Sequence, residues 1–92
     1  MNEHIMLPPD FSGRNATQAR NAFLQLVAPG VKKIIADGSR VDAVDAVGLG
    51  VLVMTQRRLQ KQGGELVLQG MSQPMAVILD KVRLRSSFGV PL

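Results

Sequence analysis

Val41-Asp42-Ala43-Val44-Asp45-Ala46-Val47-Gly48-Leu49-Gly50-Val51-Leu52 decides the reading of this chain. Before it lies an apolar run, Val31 to Ala36, centred on Ile34-Ile35-Ala36 and closed by Asp37-Gly38-Ser39. That run reads as a buried strand with its exit turn. After it, Gly48, Val51, Leu52, Thr55 and Leu59 recur at helical spacing, with Arg57, Gln60 and Lys61 on the opposite side. Asp45 stands where a helix N-cap belongs, and Gly63-Gly64 stops the helix near Gln62. A strand leading into a helix start is where α/β proteins commonly place function, because the first turn exposes unpaired N–H groups at the positive end of the macrodipole.

The same alternation extends in both directions. His4 to Leu7 reads as a short strand ended by Pro8-Pro9, which cannot continue a ladder. Asp10 to Arg14 reads as a loop, with Asn15 or Thr17 capping a helix whose apolar side is Ala16, Ala19, Ala22, Phe23, Leu26 and Val27; Pro29-Gly30 ends it. Downstream, Glu65 to Gln69 reads as a covered strand. Ser72 caps a third helix with Pro74 in its first turn and Met75, Val77, Ile78, Leu79 and Val82 as its apolar set. The tail from Leu84 to Leu92 offers Phe88 and Val90 for packing against the sheet edge or a helix. The order β-α-β-α-β-α predicts a small sheet joined by right-handed crossovers, with edges that the first strand and the tail must cover.

Composition narrows the function. The 92 residues predict a single domain spanning 1–92 with an aliphatic core, since the chain has three Phe and no Trp or Tyr. Without cysteine there is no thiol chemistry. The longest apolar runs fall short of the roughly 20 residues of a membrane helix, so no membrane insertion is expected. The start Met1-Asn2-Glu3-His4 does not resemble an export signal, and a cytoplasmic location is the expectation. A net charge of +4 favours acidic partners. Arg57, Arg58, Lys61, Arg83 and Arg85 could form a basic patch, but without interleaved aromatics it does not read as a nucleic-acid surface. His4 is the single histidine and has no metal-ligand spacing around it; Asp42 and Asp45 read as a loop residue and a cap. No nucleotide fingerprint occurs. Catalysis, a metal and a cofactor are therefore not expected.

The segments in sequence order resemble the STAS domain (sulfate transporter and anti-sigma factor antagonist) from about His4 to Val90. Asp45-Ala46-Val47-Gly48-Leu49-Gly50 matches the family's Asp-Ser-Ser-Gly-Leu-Gly at four of six positions. Ile34 to Val41 resembles its apolar strand ending in Asp-Leu-Ser-x-Val; Arg57 to Leu68 and Pro74 to Phe88 resemble its later helices and strand. The resemblance implies an α/β fold with a small mixed sheet of about four strands and three to four helices. It implies a bacterial protein–protein interaction module in signal transduction and transcription regulation, an anti-sigma factor antagonist whose partner is a kinase-type anti-sigma factor. The alternative it implies is an accessory subunit of a bacterial lipid-transport ABC importer, bound to the transporter ATPase. Oligomeric state is left open, a homodimer included.

Two departures matter. Ala46 occupies the position equivalent to the phosphorylatable Ser or Thr. Phosphate there would add about −1.5 to −2 charges and break an interface; alanine has no hydroxyl to accept it. Many STAS domains also begin with a hairpin, whereas one strand precedes the first helix here, so the sheet is either a strand short or completed by another chain. The partner-binding residues expected from this reading are Asp42, Asp45, Ala46, Val47, Gly48, Leu49 and Val53, with Ser12 and Gly13 of the neighbouring loop. Asp45 orients the helix and Gly48 lets another backbone approach. Leu49 and Val53, about 100° and 140° from Gly48 on the helical wheel, are expected to be half exposed as a contact patch.

Overall fold

The computed structural model describes residues 2–84, 87 and 88. They form β1 (Asn2–Met6), β2 (Asp10–Phe11), α1 (Gly13–Leu26), β3 (Lys33–Gly38), β4 (Ala43–Val44), α2 (Ala46–Lys61), β5 (Glu65–Met71) and α3 (Gln73–Lys81). β1, β3 and β5 build a three-stranded sheet in that order, and β2 pairs with β4 in a separate two-stranded one. Every described pair is parallel, with Ile35 opposite His4 on one side and Val67 on the other. The α/β class with a small sheet holds. The antiparallel member that would make it mixed is absent among the described strands, because β1 alone supplies the first long strand and lies at the sheet's edge. Both crossovers step the same way across the sheet. Right-handed connection therefore puts α1 and α2 on one face, where they pack on each other.

Period-2 alternation fixes which side chains meet those helices. Along β3, Ile34, Ala36 and Gly38 are buried while Lys33, Ile35 and Asp37 are half-buried on the other face. The core joins Ile34, Ala36, Leu66 and Leu68 of the sheet to Ala16 and Phe23 of α1 and Leu49, Leu52 and Leu59 of α2. Thr55, buried on α2, donates its hydroxyl to the Val51 carbonyl at 2.8 Å, so a polar residue sits in this core without an orphan group.

Several boundaries differ from the sequence reading. β3 begins at Lys33 because Val31 is still in the turn, its N–H donating to the Ala28 carbonyl at 3.1 Å. α1 begins after Ser12 rather than at Asn15 or Thr17, Gly13 entering it at φ +48°. Ala22 is exposed, since α1 fully buries only Ala16 and Phe23. The segment read as a loop at Asp10 holds β2, whose two residues are too few to show a strand period. α3 keeps its Ser72 cap, with Met75 N–H donating to Oγ at 3.3 Å. It buries Met75 and Leu79 and leaves Val77 and Val82 exposed; its start lies at the carboxyl end of β3, where Ser72 N–H donates to the Gly38 carbonyl at 3.1 Å and the Met75 sulfur sits beside Gly38. Phe88 is buried as expected; Val90 lies outside the described residues. Among the described residues no helix is long and apolar enough to cross a membrane.

Candidate functional site

The helix start singled out by sequence is half of a paired structure. Pro9 carbonyl accepts from Asp42 N–H at 2.7 Å and from Ala43 N–H at 3.1 Å, zipping the approach to α1 against the approach to α2. β2 and β4 continue the zipper, Phe11 opposite Val44. The N-termini of α1 and α2 thus open side by side. Asp45 joins them: Oδ1 accepts from Val47 N–H at 3.0 Å and Gly48 N–H at 3.1 Å, while Oδ2 accepts from Gly13 N–H at 3.1 Å. One carboxylate therefore caps its own helix and receives the first N–H of the other. Ser12 is the α1 N-cap by position but makes no capping bond; its hydroxyl donates to Asp10 Oδ1, and Asn15 donates to Asp10 Oδ2 at 3.0 Å.

The electrostatics follow from those donors. The Gly48 N–H, with those of Gly13 and Val47 behind it, holds the Asp45 carboxyl below its ordinary value; lost hydration opposes them, second in size to the Gly48 bond. Two positive helix ends meeting at this residue favour the anion in the same sense.

The expected site residues divide into two groups. Ala46 and Asp42 are exposed, Val47 is 42% exposed, and Ser12, Gly13, Asp45 and Val53 are partly exposed. Ser12, Gly13, Asp45, Ala46 and Val47 gather around the paired helix starts and make an accessible ledge. Leu49 does not belong to it. It is 8% exposed and part of the core, contrary to the half-exposed position read from the wheel. The buried side of α2 is wider than Gly48, Val51, Leu52, Thr55 and Leu59: it also takes in Leu49 and, two turns later, Gln56. Gly48 is also used internally. A Cβ there would meet the Phe11 carbonyl oxygen, with the Phe11 ring at 3.0 Å and Val44 Cγ2 at 3.2 Å, so the close-approaching backbone is this chain's own. Gly50, by contrast, faces open space.

Gln56 is not among the residues the sequence singles out. Only 7% exposed, it accepts from Leu66 N–H at 2.7 Å through Oε1 and donates to the Ser87 carbonyl at 2.6 Å through Nε2. Its spacing from Leu49, Leu52 and Leu59 was the available signal. Among the described residues no group of His and carboxylate side chains is placed to hold a metal ion.

No curated protein matches the sequence. Among solved structures, the fold is similar to that of a sulfate transporter family protein from Wolinella succinogenes, with a TM-score of 0.79 and 23% identity, covering 97% of this chain and 75% of that one. At that identity the likeness is one of fold. The profile of the STAS domain, a family of protein-interaction modules, matches residues 5–92, and the chain belongs to that family.

Proposed function

We propose that this chain is a non-catalytic binding module of the anti-sigma factor antagonist kind, held permanently in its binding-competent form. The observation that carries the reading is Ala46: an exposed methyl, immediately after the Asp45 cap, at the position equivalent to the family's phosphoacceptor. A hydroxyl there would be accessible to a kinase, and its phosphate would stand on the ledge beside Asp45. Alanine removes that regulation and leaves the ledge apolar, with Val47 next to it. The partner is a kinase-type anti-sigma factor that seats on Asp42, Ala46 and Val47, with Ser12 and Gly13 at the edge and Val53 about two turns along α2. Asp45 and Gly48 hold the ledge in shape, and Leu49 supports it from beneath.

The test is affinity purification from cells of the source organism with wild type and Val47→Arg, the captured proteins being identified by mass spectrometry. A GHKL-type kinase enriched by wild type and lost with Val47→Arg, at unchanged melting temperature, is the expected result. Equal capture by both forms removes the ledge from the interface; capture of a transporter ATPase instead moves the chain to the accessory-subunit role.

A further inference from the structure

α1 and α2 together carry Arg14, Arg20, Arg57, Arg58 and Lys61 and not one Asp or Glu. The acidic side chains lie in strands, loops and α3, so the charge of the molecule is segregated onto its helical layer. The ion pair of Lys33 with Glu65 at 3.7 Å joins two strands of the sheet, away from the five helix cations. On this layer Gly50, Val53, Met54, Arg57, Arg58 and Lys61 line an open groove of about 410 Å³. Arg20 reaches it from α1, its Nε donating to the Met54 sulfur at 3.4 Å, a weak acceptor that leaves most of the guanidinium's donors uncommitted. On the other side of Val53 and Arg57 is a second hollow, about 230 Å³, beside Gln60 and Leu84. Val53 and Arg57 therefore form a ridge between two grooves, the relief by which helices pack on one another.

We propose that this groove docks an acidic amphipathic helix of a partner protein. Its floor is bare backbone at Gly50 and the half-buried Met54, with Val53 as its apolar side wall, suited to the apolar stripe of a helix. Its rim is cationic, concentrated at Arg57, Arg58 and Lys61, and complements carboxylates flanking that stripe. From Gly50 to Lys61 it runs about 16 Å, the length of about three helical turns. Nucleic acid is the poorer match, because Phe11, Phe23 and Phe88 are all buried and no aromatic ring is offered for stacking. An anionic membrane is poorer too, since Val53 and Met54 are half-buried and two such side chains are too few to make an inserting apolar face. The groove makes no use of the α2 N-terminal turn and shares only Val53 with the seat proposed for the ledge's partner.

The test uses the full chain and a synthetic helical peptide of about 18 residues, with Leu at i, i+3, i+4 and i+7 spacing and Glu on the flanking positions. A scrambled peptide of the same composition, a single-stranded oligonucleotide and phosphatidylserine vesicles serve as competitors. Amide chemical shifts should move at residues 50–61 and Arg20. Affinity should fall about tenfold in the Arg57→Glu/Lys61→Glu variant and again as salt is raised. Arg57→Gln/Lys61→Gln should weaken binding less, which separates lost attraction from damage to the helix. Val47→Arg should leave peptide binding unchanged, so failure of the ledge and failure of the groove are read apart. No binding at millimolar peptide, equal binding of the scrambled peptide, shifts confined to another face, or tighter binding of oligonucleotide or vesicles would each overturn the proposal.

Discussion

Gly48 and Gly50 are two residues apart on one helix and face opposite constraints. At Gly48 an added Cβ runs into the Phe11 backbone and ring and into Val44, all parts of the β2–β4 zipper that cannot move without opening it. Gly48→Ala should cost about 3 kcal/mol in urea unfolding. At Gly50 nothing lies within reach of a Cβ and the backbone is helical, so Gly50→Ala should stabilise by about 0.5–1 kcal/mol in the same experiment. Leu49 between them is the place where wheel geometry alone misled. An angle measured from Gly48 describes one packing partner, and α2 has several: α1, the sheet, and the C-terminal segment whose Ser87 carbonyl is held by Gln56. Leu49→Arg should accordingly unfold the domain, losing about 3 kcal/mol or more, because the guanidinium would replace a core side chain. Val47→Arg, on a side chain 42% exposed, should stay within about 0.5 kcal/mol of wild type, which makes it the variant that reports on binding.

Among the elements, the three helices were legible from their periodicity, and α2 and α3 also from their punctuation. Asp45 and Ser72 cap as read, Gly63 ends α2 with φ +75°, and Pro74 sits in the first turn of α3. β2 and β4 were not, since two residues carry no period and their pairing depends on Pro9 meeting Asp42 and Ala43, 33 and 34 positions further along the chain. The C-terminal edge of the sheet was equally opaque. β5 has no further described strand beside it, and its Leu66 N–H is satisfied by the Gln56 side chain rather than by a ladder. A glutamine thus does the work of an edge strand, joining β5 to the carbonyl of Ser87. Gln56→Leu would leave both backbone groups without that partner, at a cost of about 1–3 kcal/mol. Hydrogen exchange checks the mechanism: the Leu66 amide should lose protection by more than its β5 neighbours, whereas uniform loss across β5 would indicate repacking of the strand.

For the molecule as a whole, the parallel order of β1, β3 and β5 followed from the helices between them, and the ledge followed from Asp45. The missing information was long-range: which loop the Asp45 carboxylate would tie down, and what would cover Leu49. The same long-range ties govern behaviour in acid. Asp37, at the carboxyl end of β3, is held below its ordinary value by the Ser39 hydroxyl and then the Ser39 N–H, with Arg40 adding a smaller pull. Asp45 is lowered by the Gly48, Gly13 and Val47 N–H groups. For both, the folded protein binds the proton less readily than the unfolded chain, whose aspartates titrate near about 3.9. Their stabilisation is therefore fully present above that range and is lost as pH falls through the still lower folded values. Melting temperature should be flat in these two groups between about pH 5 and 7 and fall below about pH 4. Asp45→Asn keeps an oxygen for Val47 and Gly48 but no second acceptor for Gly13 and no charge to titrate. It should melt several degrees lower at pH 7, with the difference from wild type closing as both are taken to about pH 2.5. A constant difference across that range would mean that Asp45 contributes through hydrogen-bond geometry alone, and that the converging helix ends place no premium on its charge.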